Sequence, residues 1–128
     1  MIAERKKHSN KNINKAALEA FFNIGKLWKL TNAQEMNLLG LSNSSSTYYN
    51  WKKNKNGILS NDTLDRISYI LGIFKSLRII FEDKNQGYEW IMKENSAFNG
   101  KSALDILLQG KIVDLSRVRS YLDAQRGY

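Results

Sequence analysis

The chain has no cysteine, a single histidine and no long apolar run. Without cysteine there is no disulfide framework and no thiolate site, which fits a reducing cytoplasm. No apolar stretch approaches the roughly 20 residues that a transmembrane helix needs, and the N-terminus lacks the apolar segment of a signal peptide. We therefore expect a cytoplasmic protein without a membrane segment.

The residues of common catalytic sites are also missing. No phosphate loop, dinucleotide glycine fingerprint, nucleophile elbow or histidine-glutamate zinc motif occurs. His8 has no second ligand near it in the sequence, so we interpret it as a bystander rather than a metal or catalytic group. Asp105 and Asp114 could be proposed as an acid and base, but both stand where helix caps are expected. The sequence predicts a protein that is not an enzyme and has no cofactor or metal.

Positive charge is concentrated in the first half of the chain. The 128 residues suit one domain, or two small ones that share a core, and carry a net charge of +8. Residues 1–64 contain ten Lys/Arg and four Asp/Glu, whereas residues 65–128 contain ten and eight. Such clustering indicates a polyanionic partner, most simply nucleic acid, although it also serves solubility. Residues 1–15 hold too few apolar side chains to order themselves, so we expect a flexible basic tail, either along a phosphate backbone or simply solvated.

Helical periodicity begins after this tail. A first helix is predicted over residues 16–28, whose apolar side chains recur at +4, +3 and +4: Ala17, Phe21, Ile24 and Trp28. Thr31 and Gln34 have the spacing of a capping box, so a second helix should begin there and end at Gly40.

A turn and a short polar helix follow, in the order typical of a helix-turn-helix motif. Ser42 or Ser44 is expected to cap this third helix, with Tyr48 and Trp51 facing the core. Short hydroxyl and amide side chains suit base edges, and lysines suit phosphates. The candidate DNA-binding residues are Ser45, Ser46, Thr47, Tyr49, Asn50, Lys52, Lys53 and Lys55. The alternative is a serine-rich, basic surface helix without a DNA role.

Residues 60–81 form the longest helical pattern, opened by Ser60 and apolar on most sides. Such a helix must be buried on both flanks, so we interpret it as a linking helix shared by the two halves, with Gly72 as a candidate bend. We then expect a turn over residues 82–87, a brief helix over residues 88–92 and a loop.

Two short helices are predicted at the chain end. Ser102 and Asp105 should open the first, which ends at Gly110, and Asp114 should cap the second. Arginine and tyrosine, which are enriched in binding hot spots, crowd the last helix, although a solvated face is the alternative. Trp90 and Phe98 are either core or interface residues. The candidate partner-binding residues are Trp90, Phe98, Asn99, Arg117, Arg119, Tyr121, Asp123, Arg126 and Tyr128.

The segments AFNGKSALDILLQG at residues 97–110 and VRSYLDAQRG at residues 118–127 resemble the C-terminal toxin-binding domain of the Xre/MbcA/ParS antitoxins. The resemblance extends over about residues 16–128; Ala103 stands where the family often has proline. It implies an all-α fold, with an N-terminal helix-turn-helix bundle continued into a small helical toxin-binding domain. The expected divisions are a tail, a helix-turn-helix domain, a linking helix and a toxin-binding domain at residues 1–15, 16–59, 60–81 and 82–128.

The resemblance also implies the function. A type II antitoxin of this family would bind and inhibit a RES-domain toxin, whose family acts on NAD, and would repress its own operon by binding operator DNA. A homodimer within a toxin–antitoxin hetero-oligomer is expected. The alternative is a stand-alone helix-turn-helix transcription regulator whose C-terminal half only dimerises.

One mechanistic hypothesis follows from the last residues. A pocket that accepts the pyrophosphate of NAD should be cationic, so the carboxylate of Tyr128 or Asp123 could occupy it while Arg126 pairs with a toxin carboxylate.

We also predict that Arg126→Ala or Tyr121→Ala weakens toxin binding by more than about 1 kcal/mol without a comparable loss of stability.

Overall fold

The computed structural model of the protein describes the backbone of residues 2–127 and the side chains of residues 11–127. The described backbone forms helices, with one isolated β-bridge between Glu94 and Ser102 and no β-strand. None of its helices is both long and apolar enough to cross a membrane. The predicted all-α class is confirmed. The helices are α1 (Ile2–Leu27), α2 (Asn32–Leu39), α3 (Ser45–Asn54), α4 (Asn61–Ile80), α5 (Lys84–Trp90), α6 (Ala103–Leu107) and α7 (Ile112–Gln125), with a 3-10 turn at Ser96–Phe98.

Helix α1 begins at Ile2, well before residue 16, where the first helix was predicted to start. Leu18 and Trp28, which are 0% and 2% exposed, anchor the second half of this helix in the core. Once a helix has nucleated, each further residue adds a hydrogen bond, so polar residues before the anchored half can continue it. Asn14 is only 8% exposed, which shows that α1 keeps contact with the rest of the molecule at least to this position.

The helix-turn-helix consists of α2, a short turn and α3. The predicted capping box opens α2: Thr31 Oγ1 accepts the Gln34 N–H at 3.1 Å, and Gln34 Oε1 accepts the Thr31 N–H at 2.9 Å. Gly40 ends the helix with φ of 77°, a left-handed conformation that glycine adopts without steric cost. Of the two serines considered for the next cap, Ser44 holds the N-cap position of α3, but its side chain makes no capping hydrogen bond.

Helix α4 connects the two halves of the molecule. It begins with the predicted cap, in which Ser60 Oγ accepts the Thr63 N–H at 3.1 Å. The helix packs against α1 and α2 of the first half and against α5 and α7 of the second. Its residues Ile67, Ile70 and Ile73 are at most 1% exposed. The helix-turn-helix and the C-terminal half therefore share one hydrophobic core.

Helix α5 starts earlier than predicted. Asp83 caps it by accepting the Asn85 N–H at 2.9 Å, so residues 84–87, expected to form a turn, are helical. Gly87 lies inside the helix and is buried, and a β-carbon there would stand 3.3 Å from the backbone oxygen of Leu77. Close packing of α5 against α4 explains this glycine, which the sequence pattern had assigned to a turn.

The last two helices pack on each other. The predicted N-cap of α6, Ser102, is present and forms a capping box with Asp105: the two residues exchange side-chain to backbone hydrogen bonds at 3.0 Å in both directions. Gly110 follows with φ of 92°. The prediction that Asp114 is the N-cap of α7 is wrong: Lys111 holds that position, and its N–H donates to the Asp114 carboxylate at 3.0 Å.

Candidate functional site

Helix α3 presents the predicted polar face to solvent. Tyr48 and Trp51, predicted to face the core, are 0% and 7% exposed. On the outer face, Asn54 Nδ2 donates to Asn50 Oδ1 at 2.5 Å. Of the candidate DNA-binding residues, six are exposed: Ser45, Ser46, Thr47, Tyr49, Asn50 and Lys53.

Lys52 is turned toward the protein interior. Its ammonium lies 3.0 Å from the carboxylate of Glu35 and 2.9 Å from Asn32 Oδ1. The Tyr48 hydroxyl donates to the same oxygen of Glu35, which is only 2% exposed. This buried polar cluster ties α3 to α2, and it engages the ammonium group of Lys52, which was predicted to contact phosphates.

The surroundings of this polar cluster affect both Tyr48 and Glu35. Burial raises the pKa of the Tyr48 hydroxyl above its ordinary value, and the hydrogen bond to Glu35 acts in the same direction. On the other side, Glu35 lies against Gly25 of α1, where a β-carbon would stand 2.0 Å from Glu35 Oε2. The cluster therefore joins all three helices of the helix-turn-helix half.

Sequence reasoning missed Glu35 as a structural residue. The signal was present, because Glu35 shares a helix face with the apolar residues Leu38 and Leu39 at +3 and +4. An acidic residue on a buried face requires a partner, and Lys52 supplies it.

The two remaining lysines of α3 differ from each other. Lys55 ends the helix with φ of 51°, and its ammonium donates to the backbone oxygen of Lys52 and lies 5.0 Å from the ring of Phe22. Lys53 is exposed and makes no hydrogen bond, ion pair or ring contact within the described part of the chain. Of the three lysines proposed as phosphate ligands, Lys53 has the most accessible ammonium group.

A second candidate surface lies in the C-terminal half, where aromatic rings from three segments meet. Trp90 and Tyr121 stack with ring centroids 6.2 Å apart, and Phe98 meets Tyr121 edge-on at 5.2 Å. The guanidinium carbon of Arg117 lies 5.6 Å from the ring of Phe98. We call Trp90, Phe98, Arg117 and Tyr121 the aromatic cluster. Phe98 is 2% exposed and serves as its core, whereas Trp90 and Tyr121 are half-buried and Arg117 is exposed.

Other candidate partner-binding residues lie apart from this cluster. Arg119 contacts α4: its Nη1 donates to the backbone oxygen of Ser68 at 3.4 Å, and its Nε lies 3.9 Å from Asp123. Arg126 Nη1 donates to the hydroxyl of Ser76 at 3.1 Å. Asn99 is exposed at the end of the 3-10 turn with φ of 58°. The prediction for Tyr128 falls on a residue outside the described ones.

The geometry defines a class of protein: a helix-turn-helix domain with an exposed second helix, joined through a shared helix to an α-helical domain that carries an aromatic cluster. Comparison with known proteins identifies the family. Residues 11–72 match the antitoxin Xre-like helix-turn-helix domain, and residues 76–127 match the antitoxin Xre/MbcA/ParS C-terminal toxin-binding domain. The chain belongs to the Xre/MbcA/ParS family of antitoxins.

A relative from Sinorhizobium fredii shares this organisation. The uncharacterized protein y4oB of that organism is 50% identical to this chain over 112 residues, which cover 88% of this chain and 85% of the relative. The similarity therefore extends over both matched domains.

Proposed function

We propose that this antitoxin binds and inhibits a RES-domain toxin and represses its own operon by binding operator DNA, as a homodimer within a toxin–antitoxin hetero-oligomer. The observation that carries the proposal is the presence of two separate exposed surfaces on one core. The outer face of α3 is polar and basic, and the aromatic cluster is built by residues of the C-terminal half. One chain can then hold DNA and toxin simultaneously.

The aromatic cluster supports the toxin-binding part of the proposal. Tryptophan, tyrosine and arginine are the residues most enriched in binding hot spots, and here they adjoin a buried phenylalanine that fixes their positions. Two exposed apolar side chains in the same half, Met92 and Val113, are 45% and 67% exposed. An interface of this composition would bury apolar area around Arg117, with Asn99 at the rim.

Inhibition could proceed by occlusion or by insertion into the toxin pocket. In the second case, the carboxylate of Asp123 near the end of α7 would occupy the cationic pyrophosphate pocket that an NAD-consuming enzyme requires. The neutral substitution Asp123→Asn separates the two mechanisms. Loss of inhibition with retained binding would support insertion of this carboxylate, and unchanged inhibition would leave occlusion by the face of α7.

The first experiment is co-expression with the product of the adjacent reading frame, followed by affinity capture and mass determination of the complex. A truncation before α7 is unsuitable, because it would remove the core residues Leu115, Val118 and Leu122. Arg117→Glu reverses one exposed charge in the aromatic cluster and should abolish or greatly weaken capture. Arg78→Glu makes the same change at an exposed position of α4 and should leave capture intact.

The outcomes discriminate between the two functions. Capture of a RES-domain protein that depends on Arg117 supports the toxin-inhibitor proposal. If no partner is captured by the wild-type chain and the chain alone binds its upstream DNA, the stand-alone regulator is the better description. Capture that is equal for both variants would leave the toxin partner in place and reject the aromatic cluster as its binding site.

A further inference from the structure

A groove runs between the first part of α1 and the outer face of α3. Lys11 and Asn14 line it from α1, and Asn50 and Asn54 line it from α3. The loop that follows α3 closes one end with Asn56, Gly57 and Ile58. The groove therefore lies directly beside the face through which a helix-turn-helix protein enters DNA.

The first part of α1 has a defined orientation toward this groove. Lys11, Asn14 and Leu18 are spaced by three and four residues, so they share one face of the helix. Leu18 is 0% and Asn14 is 8% exposed, which shows that this face is turned toward the body of the protein. Lys11 continues the same face by one turn, is exposed and lines the groove beside α3.

The chemistry of the surroundings favours a polyanion. The sequence has no aspartate or glutamate in residues 11–18 or in residues 36–61, the two segments that contain the lining of the groove and the outer face of α3. Lysine can neutralise a phosphate, and asparagine amides both donate and accept hydrogen bonds, as contacts to phosphates and to base edges require. The position of the groove beside the exposed face of α3 favours DNA over an acidic protein as this polyanion.

We infer that the first part of α1 and α3 form one continuous DNA-binding surface, in which Lys11 and Lys53 contact phosphates while Lys52 and Lys55 serve the protein interior. The inference rests on the proposed function, because it assumes that α3 binds DNA. It adds a phosphate-binding segment outside the helix-turn-helix itself. It also assigns a structural role, rather than a phosphate-binding one, to Lys52 and Lys55, whose ammonium groups contact Glu35 and Phe22.

The test uses the full chain, with and without its co-expressed toxin, and a fluorescent duplex of about 30 base pairs taken from upstream of its own reading frame. Affinity is measured by anisotropy over a series of KCl concentrations. Each lost phosphate contact should reduce the slope of log K against log salt by about 0.9. Lys11→Gln and Lys53→Gln should each lower the slope by this amount and weaken binding several-fold at low salt.

Lys75→Gln is the control, because Lys75 is an exposed lysine of α4 outside the groove. It should leave the slope unchanged, and all three variants should retain the wild-type melting temperature. If Lys53→Gln lowers the slope and Lys11→Gln does not, α3 binds DNA without α1, and the inference fails while the proposed function stands. If the wild-type chain binds the duplex in neither form, both fail.

Discussion

The guanidinium group of Arg119 in α7 lies against Gly72 in α4, where a β-carbon would stand 2.6 Å from its Cζ atom. Ser68, Gly72 and Ser76 follow one another at intervals of four residues and so form a stripe of small residues along α4. Arg119 contacts Ser68 and Gly72, and Arg126 contacts Ser76. The stripe therefore receives Arg119 of α7 and Arg126, which directly follows α7, and so fixes the position of that helix on α4.

Replacement of Gly72 by alanine should not destabilise the protein. The Arg119 side chain is 38% exposed, so its guanidinium can move aside. Alanine also favours a helix over glycine by about 1 kcal/mol, so the free energy of unfolding should stay unchanged or rise by up to about that amount. Urea denaturation measures the change.

Gly25→Ala is the matched comparison, because this glycine also lies in a helix with a side chain against it. Here the neighbour is the carboxylate of Glu35, which is 2% exposed and is held by Lys52 and Tyr48. Overpacking should lower the free energy of unfolding by about 1–3 kcal/mol. Equal shifts for Gly25→Ala and Gly72→Ala would contradict the view that the freedom of the neighbouring side chain decides the result.

The same substitution should affect mainly protein stability at Lys52 and mainly DNA binding at the adjacent Lys53. Lys52→Met leaves the carboxylate of Glu35 buried without its cation. Removal of one partner from a fully buried pair costs about 3–5 kcal/mol; since the Lys52 side chain is 39% exposed, we expect about 1–3 kcal/mol. Lys53→Met should change stability by no more than about 0.5 kcal/mol.

DNA binding should change more in Lys53→Met than in Lys52→Met. Lys53→Met should reduce the salt dependence of binding, whereas the folded fraction of Lys52→Met should keep the wild-type slope. Thermal denaturation and anisotropy on the same samples provide the two measurements. A smaller slope for Lys52→Met with unchanged stability would mean that its ammonium contacts DNA rather than Glu35.

Tyr48 should make the protein sensitive to high pH. The pKa of its hydroxyl lies above the ordinary 10.0, mainly because the group is buried and also because it contacts Glu35. Below about pH 10 the hydroxyl is protonated in both the folded and the unfolded state, and its contribution to stability is complete. Above that pH the unfolded state loses the proton first, so the free energy of unfolding should fall as pH rises.

Chemical denaturation between about pH 9 and pH 11 measures this dependence, in the range where an ordinary tyrosine titrates. Tyr48→Phe should show a shallower decline than the wild-type protein. Tyr49→Phe is the control, since Tyr49 is 49% exposed and should leave the decline unchanged. A decline in Tyr48→Phe as steep as in the wild-type protein would assign the effect to other groups.

The features that the sequence predicted correctly depend on neighbours within a few residues. The capping box of Thr31 and Gln34 spans three positions, and the burial of Tyr48 and Trp51 follows from their spacing on one helix. The apolar pattern of α4 likewise reflects helical geometry. Local spacing of this kind is sufficient to identify the helices, their order and the outer face of α3.

The features that were missed depend on contacts between distant segments. The direction of Lys52 is set by Glu35, 17 positions away in the sequence. The glycine inside α5, Gly87, is explained by its approach to Leu77 in another helix. The length of α1 similarly exceeds what its polar composition indicates, because packing of its second half supports the first. Residue patterns within one segment carry no information on such partners.

The contact between Arg126 and Ser76 changes the expectation for Arg126→Ala. We predicted weaker toxin binding with little loss of stability, but Arg126 donates to a hydroxyl that is 0% exposed. A hydrogen bond to a charged group contributes about 1.5–3 kcal/mol, so this variant should also destabilise the free antitoxin measurably. Stability by itself therefore cannot separate an interface role from a role in positioning α7.

A double-mutant cycle with Ser76→Ala separates the two roles of Arg126. In urea denaturation, the two substitutions should show a coupling energy of about 1 kcal/mol, because they remove the same contact. Toxin affinity should then fall for Arg126→Ala and stay near the wild-type value for Ser76→Ala, since only the first removes a group that can reach the toxin. Equal losses of affinity in both single variants would show that Arg126 acts on the toxin by holding α7 against α4.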